Sequence, residues 1–387
     1  MKICFLSSVH PPLDKRVFEK EARSLASEGF DVVHIAPDER PGRWTENGVR
    51  IITFARARGL SGRILSLARL YRLAVREAAS CYHCNEVDSW LVGVCLKTTR
   101  RSVVVFDVHE HYPSDLAERC RPRWAEKIAQ KLLRWTFRLL APRTDRLVFA
   151  KKFIADDFVM EPARQVLVEN FAPLAHRDRG THAHQSRGER TVLVIHSGLM
   201  ARSRGWPQLL DALARTRCHA VNLRLVGTFV DGSQRDFEKR IEELGLAARV
   251  TRADWMPFAA AYDEVLRADI GIVAYQPGIY NHTVALPHKM FDYMLAGLPV
   301  VVPHFAREVA EIVRETDCGV LVDSANPVAI GDVVDRLAED PDERRRLGAN
   351  GRRAVLERYN WEQEARRLIA MYRELETTTV PEAIGHR

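Results

Sequence analysis

The sequence predicts an α/β protein made of two domains, each with a doubly wound parallel sheet. The chain has 387 residues, which is too many for one ordinary hydrophobic core and suits two units of roughly 150–200 residues. Apolar runs of strand length alternate with amphipathic helical segments, a pattern typical of parallel sheets. A polar stretch interrupts this alternation at 176–190, after which it resumes. We therefore predict domains at 1–175 and 191–358, a linker at 176–190, and a final helix and tail at 359–387.

In the first domain, the predicted strands are short apolar runs, and the predicted helices have apolar residues at intervals of three or four. The strands are Lys2–Ser7, Val32–Ala36, a segment around Tyr82, Val103–Phe106, Arg146–Ala150 and Gln165–Val168. The helices are Asp14–Gly29, Gly62–Ala79, Asp88–Lys97 and a long segment before Arg146.

The second domain repeats the same pattern. Its predicted strands are Thr191–His196, Asn222–Val226, Ile270–Ala274, Val300–Val302 and Gly319–Val322. Its predicted helices are Gly205–Arg215, Gln234–Leu244, Ala259–Arg267, a segment opened by Pro287, and Val309–Glu315. The tail carries Trp361 and Tyr372 on a last amphipathic helix, which we expect to cross back to the first domain.

Composition places the protein among globular proteins of the cytoplasm. Hydrophobic residues make up 46% and charged residues 28% of the chain, as in soluble globular domains. The sequence has no apolar run near the roughly 18 residues needed to span a bilayer. The first strand begins directly after Met1 and leaves no room for the apolar region of a secretory signal. We therefore predict a cytoplasmic protein whose seven cysteines are reduced thiols.

The net charge of +7 would suit anionic substrates, a membrane surface or nucleic acid. No nucleic-acid motif or aromatic platform accompanies the basic clusters, so we do not expect nucleic acid as a partner. Two basic, amphipathic segments, 62–79 and 121–143, would be able to lie on the inner face of the membrane as peripheral contacts. The alternative for both is the solvated face of a packed helix, which is the commoner arrangement.

The segment 286–302 contains the clearest functional signal. Pro287 opens a helix, where its missing N–H costs nothing, and Gly297 ends it. Lys289 and Asp292 lie three residues apart and share one helical face. A cation and a carboxylate in the first turns of a helix, whose N-terminus favours anions, fit a ligand that bears both phosphates and a diol.

This segment resembles the C-terminal donor-binding motif of nucleotide-sugar glycosyltransferases with the GT-B fold, particularly family 4. The family motif is Glu-x7-Glu, and its second glutamate holds the nucleotide ribose. Asp292 matches that second glutamate, and Val284 stands at the first. The resemblance implies a fold of two Rossmann-like domains that face a cleft. It also implies a UDP-linked donor, retention of the donor's anomeric configuration, and catalysis without a metal ion.

A second segment of the family pattern follows the first strand of the second domain. Gly198 permits close approach of the backbone, and Arg204 precedes the next helix. The family usually has two cations here that bind the diphosphate. Leu199 replaces the first of them, Arg204 stands at the second, and Arg202 is a candidate for the missing charge. The other interpretation is a solvated pair of arginines.

The turn after the first strand reads His-Pro-Pro-Leu-Asp-Lys-Arg from His10 to Arg16. It lacks the glycine fingerprint of a nicotinamide or flavin dinucleotide site. In one branch of family 4, similar sequences face the cleft, which makes His10, Asp14 and Arg16 candidates for its acceptor side. The alternative is that the two prolines stiffen a turn and that Asp14 caps a helix.

A polar cluster also follows the buried strand Val103–Phe106. Polar groups at the carboxyl end of a parallel strand are well placed for chemistry. The cluster is similar to the family segment whose histidine contacts the transferred sugar, and His109 is the match. Glu110 is the second candidate for a catalytic role. Asn85 follows another strand, where similar proteins often carry a second histidine.

The resulting hypothesis is a glycosyltransferase that acts on a sugar, lipid-linked or small-molecule acceptor, in glycan, glycoconjugate or secondary-metabolite biosynthesis. A non-hydrolysing UDP-sugar epimerase is one alternative. A non-catalytic sugar-nucleotide-binding subunit is the other, suggested by Val284. Asp340-Pro341-Asp342 spells a metal-binding pattern of other glycosyltransferases, but it lies between two predicted helices, where capping is the expected role. We therefore predict no metal and no cofactor besides the nucleotide-sugar co-substrate.

Overall fold

The computed structural model describes residues 1–56, 59–109, 111–112, 123–158, 160–174 and 191–379. The chain divides into two compact units. Unit 1 consists of Met1–Asn170 and Trp361–Arg387, and unit 2 of Phe171–Asn360. The linker predicted at 176–190 and the candidate residue Glu110 lie outside the described residues.

The described part of unit 1 contains eight strands in one sheet. They are β1 (Lys2–Leu6), β2 (Asp31–Asp38), β3 (Arg43–Glu46), β4 (Val49–Ala55), β5 (Cys81–Cys84), β6 (Val103–Val108), β7 (Arg146–Phe149) and β8 (Gln165–Leu167). Their order across the sheet is β3-β4-β2-β1-β5-β6-β7-β8. Every neighbouring pair from β4 to β8 is parallel, as the alternation of strands and helices predicts.

The antiparallel pair β3–β4 is a hairpin that the sequence analysis missed. Its turn consists of Asn47 and Gly48, with φ angles of +48° and +80°. Asn-Gly is the preferred pair for a two-residue hairpin turn, because both positions need positive φ. The signal was therefore present in the sequence, in a segment that was not assigned to any element.

Helices cover both faces of this sheet. The helix predicted from Asp14 begins later, with a π-helical turn at Val17–Ala22, and continues as α1 (Arg23–Ser27). It begins late because Asp14 caps it: Oδ1 of Asp14 accepts hydrogen bonds from the backbone N–H groups of Arg16 and Val17, at 2.8 and 3.0 Å. The next helices of unit 1 are α2 (Gly59–Glu77), α3 (Val87–Arg100) and α4 (Arg123–Leu140).

The described part of unit 2 contains a six-stranded, wholly parallel sheet. Its strands are β9 (Val192–Ser197), β10 (Val221–Val226), β11 (Val250–Ala253), β12 (Ile270–Ile272), β13 (Val300–Pro303) and β14 (Gly319–Val322). The order is β11-β10-β9-β12-β13-β14. The short edge strand β11 was not predicted, since its polar sequence Val-Thr-Arg-Ala has no apolar run.

The helices of unit 2 are α5 (Trp206–Leu213), α6 (Gln234–Glu243), α7 (Phe258–Leu266), α8 (Tyr280–Thr283), α9 (His288–Ala296), α10 (Arg307–Thr316), α11 (Pro327–Glu339) and α12 (Pro341–Glu357). Five of them, α5, α6, α7, α9 and α10, lie where the periodicity predicts them, with shifts of one or two residues at their ends, whereas α8, α11 and α12 were not assigned a range from the sequence. Asp340 caps α12, because its Oδ1 accepts a hydrogen bond from the backbone N–H of Glu343 at 2.9 Å. This contact fits the capping role expected for the Asp-x-Asp pattern.

The last helix, α13 (Trp361–Thr379), packs within unit 1. Leu368 and Tyr372 are fully buried against Ile3 and Phe5 of β1. The alternate residues of β1, Cys4 and Leu6, face the opposite core under α2, α3 and α4. Strand β1 is therefore buried on both sides, as the central strand of a doubly wound sheet must be.

In each sheet the chain first adds strands on one side of its first strand and later on the other side. In unit 1 the chain leaves β1 towards β2 on one side and reaches β5 on the other, and in unit 2 the neighbours of β9 are β10 and β12. In open α/β sheets, ligands bind at the carboxyl ends of the strands where the chain changes sides in this way. The loops that follow β1, β5, β9 and β12 are therefore the places to look for a site.

The burial of α13 leads to a prediction about stability. Leu368→Ala should lower the free energy of unfolding of unit 1 by about 2–5 kcal/mol, because it removes a fully buried side chain from the core. Urea unfolding of the full chain, followed by circular dichroism, measures this change. Leu356→Ala, at an exposed position on α12, is the matched control and should change stability by about 0.5 kcal/mol or less. Equal effects of the two substitutions would contradict the packing.

Candidate active site

The donor-side candidates of unit 2 meet around a buried lysine. Gly198 follows β9 with a φ of +106°, and a Cβ atom at this position would lie 3.3 Å from both Cε and Nζ of Lys289. Only glycine combines this left-handed backbone with such close approach. The side chain of Lys289 therefore runs directly beneath the backbone at Gly198.

Lys289 is an unusual cation because it is almost fully buried. Its Nζ lies 3.1 Å from Nε2 of His196, at the end of β9. The pKa of Lys289 is lowered well below its usual range, mainly by burial and secondly by the nearby charge of Arg204. The charge of Asp292 acts in the opposite direction. Burial and the charge of Lys289 likewise lower the pKa of His196. An anion that approaches such a lysine favours its charged form.

Arg204 lies on the same side of this cluster and is held by an aromatic side chain. Its Nη1 donates a hydrogen bond to the hydroxyl of Tyr275 at 3.3 Å, and its guanidinium lies 5.4 Å from the centre of that ring. The ring of Tyr275 stacks on His282 at 4.6 Å. The next residue, Gly205, has a φ of +85°, and a Cβ there would lie 2.1 Å from the carbonyl oxygen of Ala274. The turn after Arg204 therefore requires glycine.

Arg202 is directed elsewhere. Its Nη2 forms an ion pair of 2.5 Å with Oδ2 of Asp236 on α6, and its guanidinium lies over the ring of Trp206. The side chain is 56% exposed. The structure thus brings Arg204, Lys289 and Gly198 together and places Arg202 in an ion pair on the surface.

Helix α9 presents the remaining candidates. Pro287 occupies its N-cap position, so the helix starts at His288, one residue later than the predicted opening at Pro287. Asp292 lies about one helical turn after Lys289 and is buried. Its charge raises the pKa of Lys289. The hydroxyl of Tyr293 accepts a hydrogen bond from the backbone N–H of Ser197 at 2.8 Å, which ties α9 to the end of β9. Val284, where the family motif has its first glutamate, is fully buried.

Unit 1 contains a buried ion pair beneath the candidate catalytic histidine. Arg16 binds Asp107 at the end of β6 through two hydrogen bonds, from Nε at 3.0 Å and from Nη2 at 2.9 Å. His109 Nε2 contacts the same carboxylate. Burial alone would raise the pKa of Asp107, but Arg16 and His109 hold it well below its usual range. Asp107 is therefore a charged partner that orients both Arg16 and His109.

Three further buried groups complete this cluster. The hydroxyl of Tyr372 and Nδ1 of His83 lie 2.6 Å apart, and His83 Nε2 lies 3.4 Å from Glu21. Burial raises the pKa of Glu21 well above its usual range; the charge of Arg16 opposes this shift, and Asp107 adds to it. Burial also lowers the pKa of His83. Asp107, whose pKa is held low, balances the charge of Arg16.

The spacing of Glu21, His83 and Asp107 suggests a metal site, since one ligand atom of each lies within 4.8 Å of the others. The guanidinium of Arg16 already occupies this position. Its Nη2 is 2.9 Å from Glu21 Oε1 and 2.9 Å from Asp107 Oδ1. A metal ion on the same oxygens would be repelled by that charge. These residues therefore fit a hydrogen-bonded ion pair better than a metal centre.

Glu86, which the sequence analysis did not single out, holds the turn after β1. Its carboxylate accepts hydrogen bonds from the backbone N–H groups of Ser8, Val9 and His10 at 2.9–3.0 Å. It also binds Nδ1 of His10 at 2.6 Å. Burial opposes ionisation of Glu86, but the hydrogen bond and charge of His10 and the backbone N–H groups of His10 and Ser8 together outweigh it and lower the pKa of Glu86 to about 2. The ring of His10 lies 5.1 Å from that of His109.

The acceptor-side candidates thus have different surroundings. His10 and His109 lie side by side, and Arg16 lies beneath them in the buried ion pair. Asp14 is engaged as a helix cap, which corresponds to the alternative interpretation of that residue. Asn85 is buried and donates hydrogen bonds to the carbonyl of Leu6 and to Ser7 Oγ. Glu86 escaped prediction because nothing in its local sequence distinguishes it from a surface carboxylate, whereas Asp107 begins the polar cluster after β6 that the sequence indicated and was not named there as a candidate.

Comparison with known proteins finds two family models in the chain. The model described as "Glycosyl transferase 4-like domain" matches residues 15–170. The model described as "Glycosyl transferases group 1" matches residues 180–354. The MMP alpha-(1->4)-mannosyltransferase of Mycolicibacterium hassiacum is 30% identical over 223 residues, which represent 57% of this chain. The matched region covers 50% of the length of that relative.

Solved structures share the architecture at low identity. A sucrose-phosphate synthase from Thermosynechococcus elongatus has a TM-score of 0.74 at 17% identity, covering 98% of this chain and 100% of its own. Anabaena HepE, solved in complex with UDP, has a TM-score of 0.70 at 14% identity, covering 98% and 100%. Two parallel-sheet units with polar clusters at their carboxyl edges and these structural relatives define a protein of the GT-B fold. The chain belongs to the family 4-like glycosyltransferases.

The contact between Glu86 and His10 predicts a pH effect. His10 has a raised pKa because the hydrogen bond and charge of Glu86 outweigh its burial. In Glu86→Gln, burial remains and the charge is lost, so the pKa of His10 should fall. An NMR titration of the imidazole signals measures this change. Glu339→Gln, at an exposed position on α11, is the control and should leave the His10 signal unchanged. An unaltered pKa in Glu86→Gln would refute the assignment.

The same variant should lose stability, by about 1–3 kcal/mol at pH 7, because charge-assisted hydrogen bonds are replaced by neutral ones. The folded state lowers the pKa of Glu86 from 4.5 to about 2. The stabilisation is therefore complete above the unfolded value and disappears as the pH falls towards the folded one. The difference between wild type and variant should accordingly shrink between pH 4.5 and 2.

Proposed function

We propose that the protein is a glycosyltransferase that moves a sugar from a UDP-linked donor to an acceptor, with retention of configuration and without a metal ion. Unit 2 binds the donor and unit 1 the acceptor. The observation that carries this proposal is the buried Lys289, which lies beneath Gly198, beside Arg204 and in the first turn of α9. Its lowered pKa indicates a cation whose charge is not fully compensated within the protein.

Each part of a nucleotide diphosphate has a matching group in this cluster. Lys289, Arg204 and the N-terminus of α9 provide positive charge for the two phosphates. Gly198 lets the ligand approach the backbone. Asp292 provides the carboxylate that the family resemblance assigns to the ribose hydroxyls. UDP is the proposed nucleotide because the resemblance implies it, and because the structurally similar HepE has been solved with UDP.

Departure of UDP requires stabilisation of the charge that develops on the diphosphate as the sugar–phosphate bond breaks. Lys289 and Arg204 can supply it electrostatically, in a site where burial strengthens the interaction. This is the physical reason for proposing a reaction without a metal ion. A sugar, a lipid-linked sugar or a small molecule is the proposed acceptor. The cytoplasmic location stays a prediction from the sequence.

On the acceptor side, we propose that His109 contacts the transferred sugar, with Glu110 as a second catalytic candidate. Asp107 acts through His109 as a positioning residue. If Nε2 of His109 carries the proton shared with Asp107, Nδ1 is left as an acceptor for a hydroxyl group. The same pairing would let His109 act as a general base, which would favour inversion over retention. Retention rests on the family resemblance.

Val284 favours one alternative function. It is an apolar, fully buried side chain at the position of the first motif glutamate, so the chain lacks that carboxylate. A sugar-nucleotide-binding subunit without turnover would need only the cluster around Lys289. Binding of UDP without formation of a glycoside from any acceptor would support this alternative. Appearance of a different UDP-sugar without an acceptor would instead indicate an epimerase.

Calorimetry with UDP tests the donor site. Arg204→Ala and Lys289→Ala should each weaken UDP binding by about 1.5–3 kcal/mol, the size of a charge-assisted hydrogen bond. Asp292→Ala should weaken binding of UDP more than that of phosphate, because it removes the ribose contact. Arg202→Ala, two residues from Arg204, is the matched control and should have a much smaller effect, since Arg202 is paired with Asp236.

The lowered pKa of Lys289 adds a second readout to the same titration. A bound diphosphate should raise that pKa, so that UDP binding takes up protons at pH values where the free lysine is neutral. Titrations in buffers of different ionisation enthalpy detect this uptake, and Lys289→Met should abolish it. UDP affinity that is unchanged in Arg204→Ala, Lys289→Ala and Asp292→Ala would overturn the donor assignment.

Turnover tests the reaction itself. In EDTA, the full-length protein should release UDP from a UDP-sugar and form a glycoside with one of a panel of acceptors. NMR of the anomeric proton should show the configuration of the donor. His109→Ala should lower turnover by about 10²-fold and leave UDP affinity nearly intact, because His109 belongs to unit 1 and the UDP contacts to unit 2.

Three results would contradict parts of this proposal. Activity that is abolished by EDTA and restored by magnesium or manganese would exclude the metal-free reaction. An inverted product would exclude retention and point to His109 as a base. A fully active His109→Ala enzyme would remove this residue from the site.

A further inference from the structure

Helix α4 has two apolar faces, and only one of them contributes to the core. Leu133, Phe137 and Leu140 pack into the hydrophobic core of unit 1. On the opposite side, Ile128, Leu132, Trp135 and Leu139 are 52%, 59%, 62% and 38% exposed. These four residues, called the exposed stripe below, follow the spacing i, i+4, i+7 and i+11, which aligns them along one side of a helix.

Positive charges border the exposed stripe along one flank. Lys127, Lys131, Arg134 and Arg138 are all exposed, and helical spacing places them beside the stripe, away from the core face. No ion pair joins any of the four to a carboxylate in the described parts of the chain. The segment Arg123–Leu140 contains a single acidic residue, Glu126. Within the described residues, the flank is therefore a row of positive charge without carboxylate partners that runs along the helix.

Helix α2, which has a similar basic and amphipathic sequence, is used differently. Leu70 and Ala74 are fully buried in the same core, and Leu67 and Leu73 pack against it. Arg63 pairs with Asp88 at 2.8 Å. The apolar side of α2 is thus covered by its own unit, and among the apolar side chains of α2 that the structure describes, Ile64 and Leu65 remain strongly exposed. The tertiary structure distinguishes two helices that the sequence treats as equivalent.

We propose that the exposed stripe of α4 binds the surface of an anionic lipid bilayer. Apolar side chains at this spacing would enter the boundary between headgroups and acyl chains, and Trp135 would lie at the depth that tryptophan prefers. The lysines and arginines along the flank would contact anionic headgroups. A bilayer matches a long, narrow stripe with charge along its edge, because it needs no complementary pocket. None of the described helices is both long and apolar enough to span a membrane, so the contact is peripheral.

Vesicle sedimentation tests this proposal and does not require UDP, an acceptor or turnover. The full-length protein should sediment with vesicles of phosphatidylcholine mixed with phosphatidylglycerol and much less with pure phosphatidylcholine. Raised salt should weaken the binding, since it screens charge. The double variant Leu132→Ser/Trp135→Ser should lower the partition coefficient about tenfold or more, as expected for the loss of two inserted apolar side chains. Lys131→Glu/Arg134→Glu should lower it to a similar extent on anionic vesicles.

Matched controls keep the interpretation specific to α4. Ile64→Ser/Leu65→Ser makes the same kind of change on α2, and Arg235→Glu/Lys239→Glu reverses two exposed charges on α6. Both control variants should bind vesicles as the wild type does. Circular dichroism and thermal unfolding check that every variant is folded, and the substituted side chains are exposed in each case.

The outcomes separate the alternatives. The proposal is overturned if the wild-type protein does not bind anionic vesicles. It is also overturned if the α4 variants bind them as the wild type does. Loss of binding in the α2 variant alone would assign the surface to α2 and also overturns it. If the wild type dimerises in light scattering, binds no vesicles, and the stripe variant is a monomer, the stripe is covered by a second copy of the chain and the proposal is wrong. Absence of UDP binding would affect the proposed function and leave this test unchanged.

Discussion

In a parallel sheet every strand ends at the same edge, and this constraint determines where the polar side chains of each unit meet. In unit 1 it brings the turn after β1 to the end of β6, so that Arg16 binds Asp107 across 91 residues of sequence. In unit 2 it places the end of β9 beside α9, where His196 lies next to Lys289 across 93 residues. Both clusters are therefore products of topology, and neither could form in a sheet with a different strand order.

The two clusters differ in how they compensate buried charge. Transfer of a charge from water into a protein interior is costly unless a partner and hydrogen bonds replace the water. Arg16 meets this condition, because it has a bidentate carboxylate and also donates to the carbonyl of Val168 at 3.0 Å. Lys289 has weaker compensation for its buried charge than Arg16, and its pKa falls well below its usual range. The cluster of unit 1 is suited to hold His109 in place, whereas that of unit 2 is suited to receive an anion.

Amphipathic periodicity has two distinct consequences in this protein. The apolar residues of α2 and the inner face of α4 build the core of unit 1, as periodicity ordinarily indicates. The outer face of α4 has the same kind of pattern without a covering element among the described residues. A sequence pattern records only that residues share one side of a helix. What that side contacts depends on how the helix is packed.

The sequence by itself determined the α/β class, the parallel strands, the restart of the pattern in a second unit, and the short motifs around His109, Gly198 and Asp292. These features depend on hydrophobic periodicity, on residues that start and end helices, and on short motifs, all of which are local properties of the chain. Only the tertiary structure decided that Glu86 holds His10, that Asp107 holds His109, and that Tyr275 supports Arg204 and not Arg202. The site as a whole depends on which strands are neighbours, because the contacts of Glu86 with His10 and of Tyr275 with Arg204 join loops on different strands, whereas Asp107 and His109 lie two residues apart. It also depends on burial, which turns ordinary carboxylates and lysines into groups with altered pKa values.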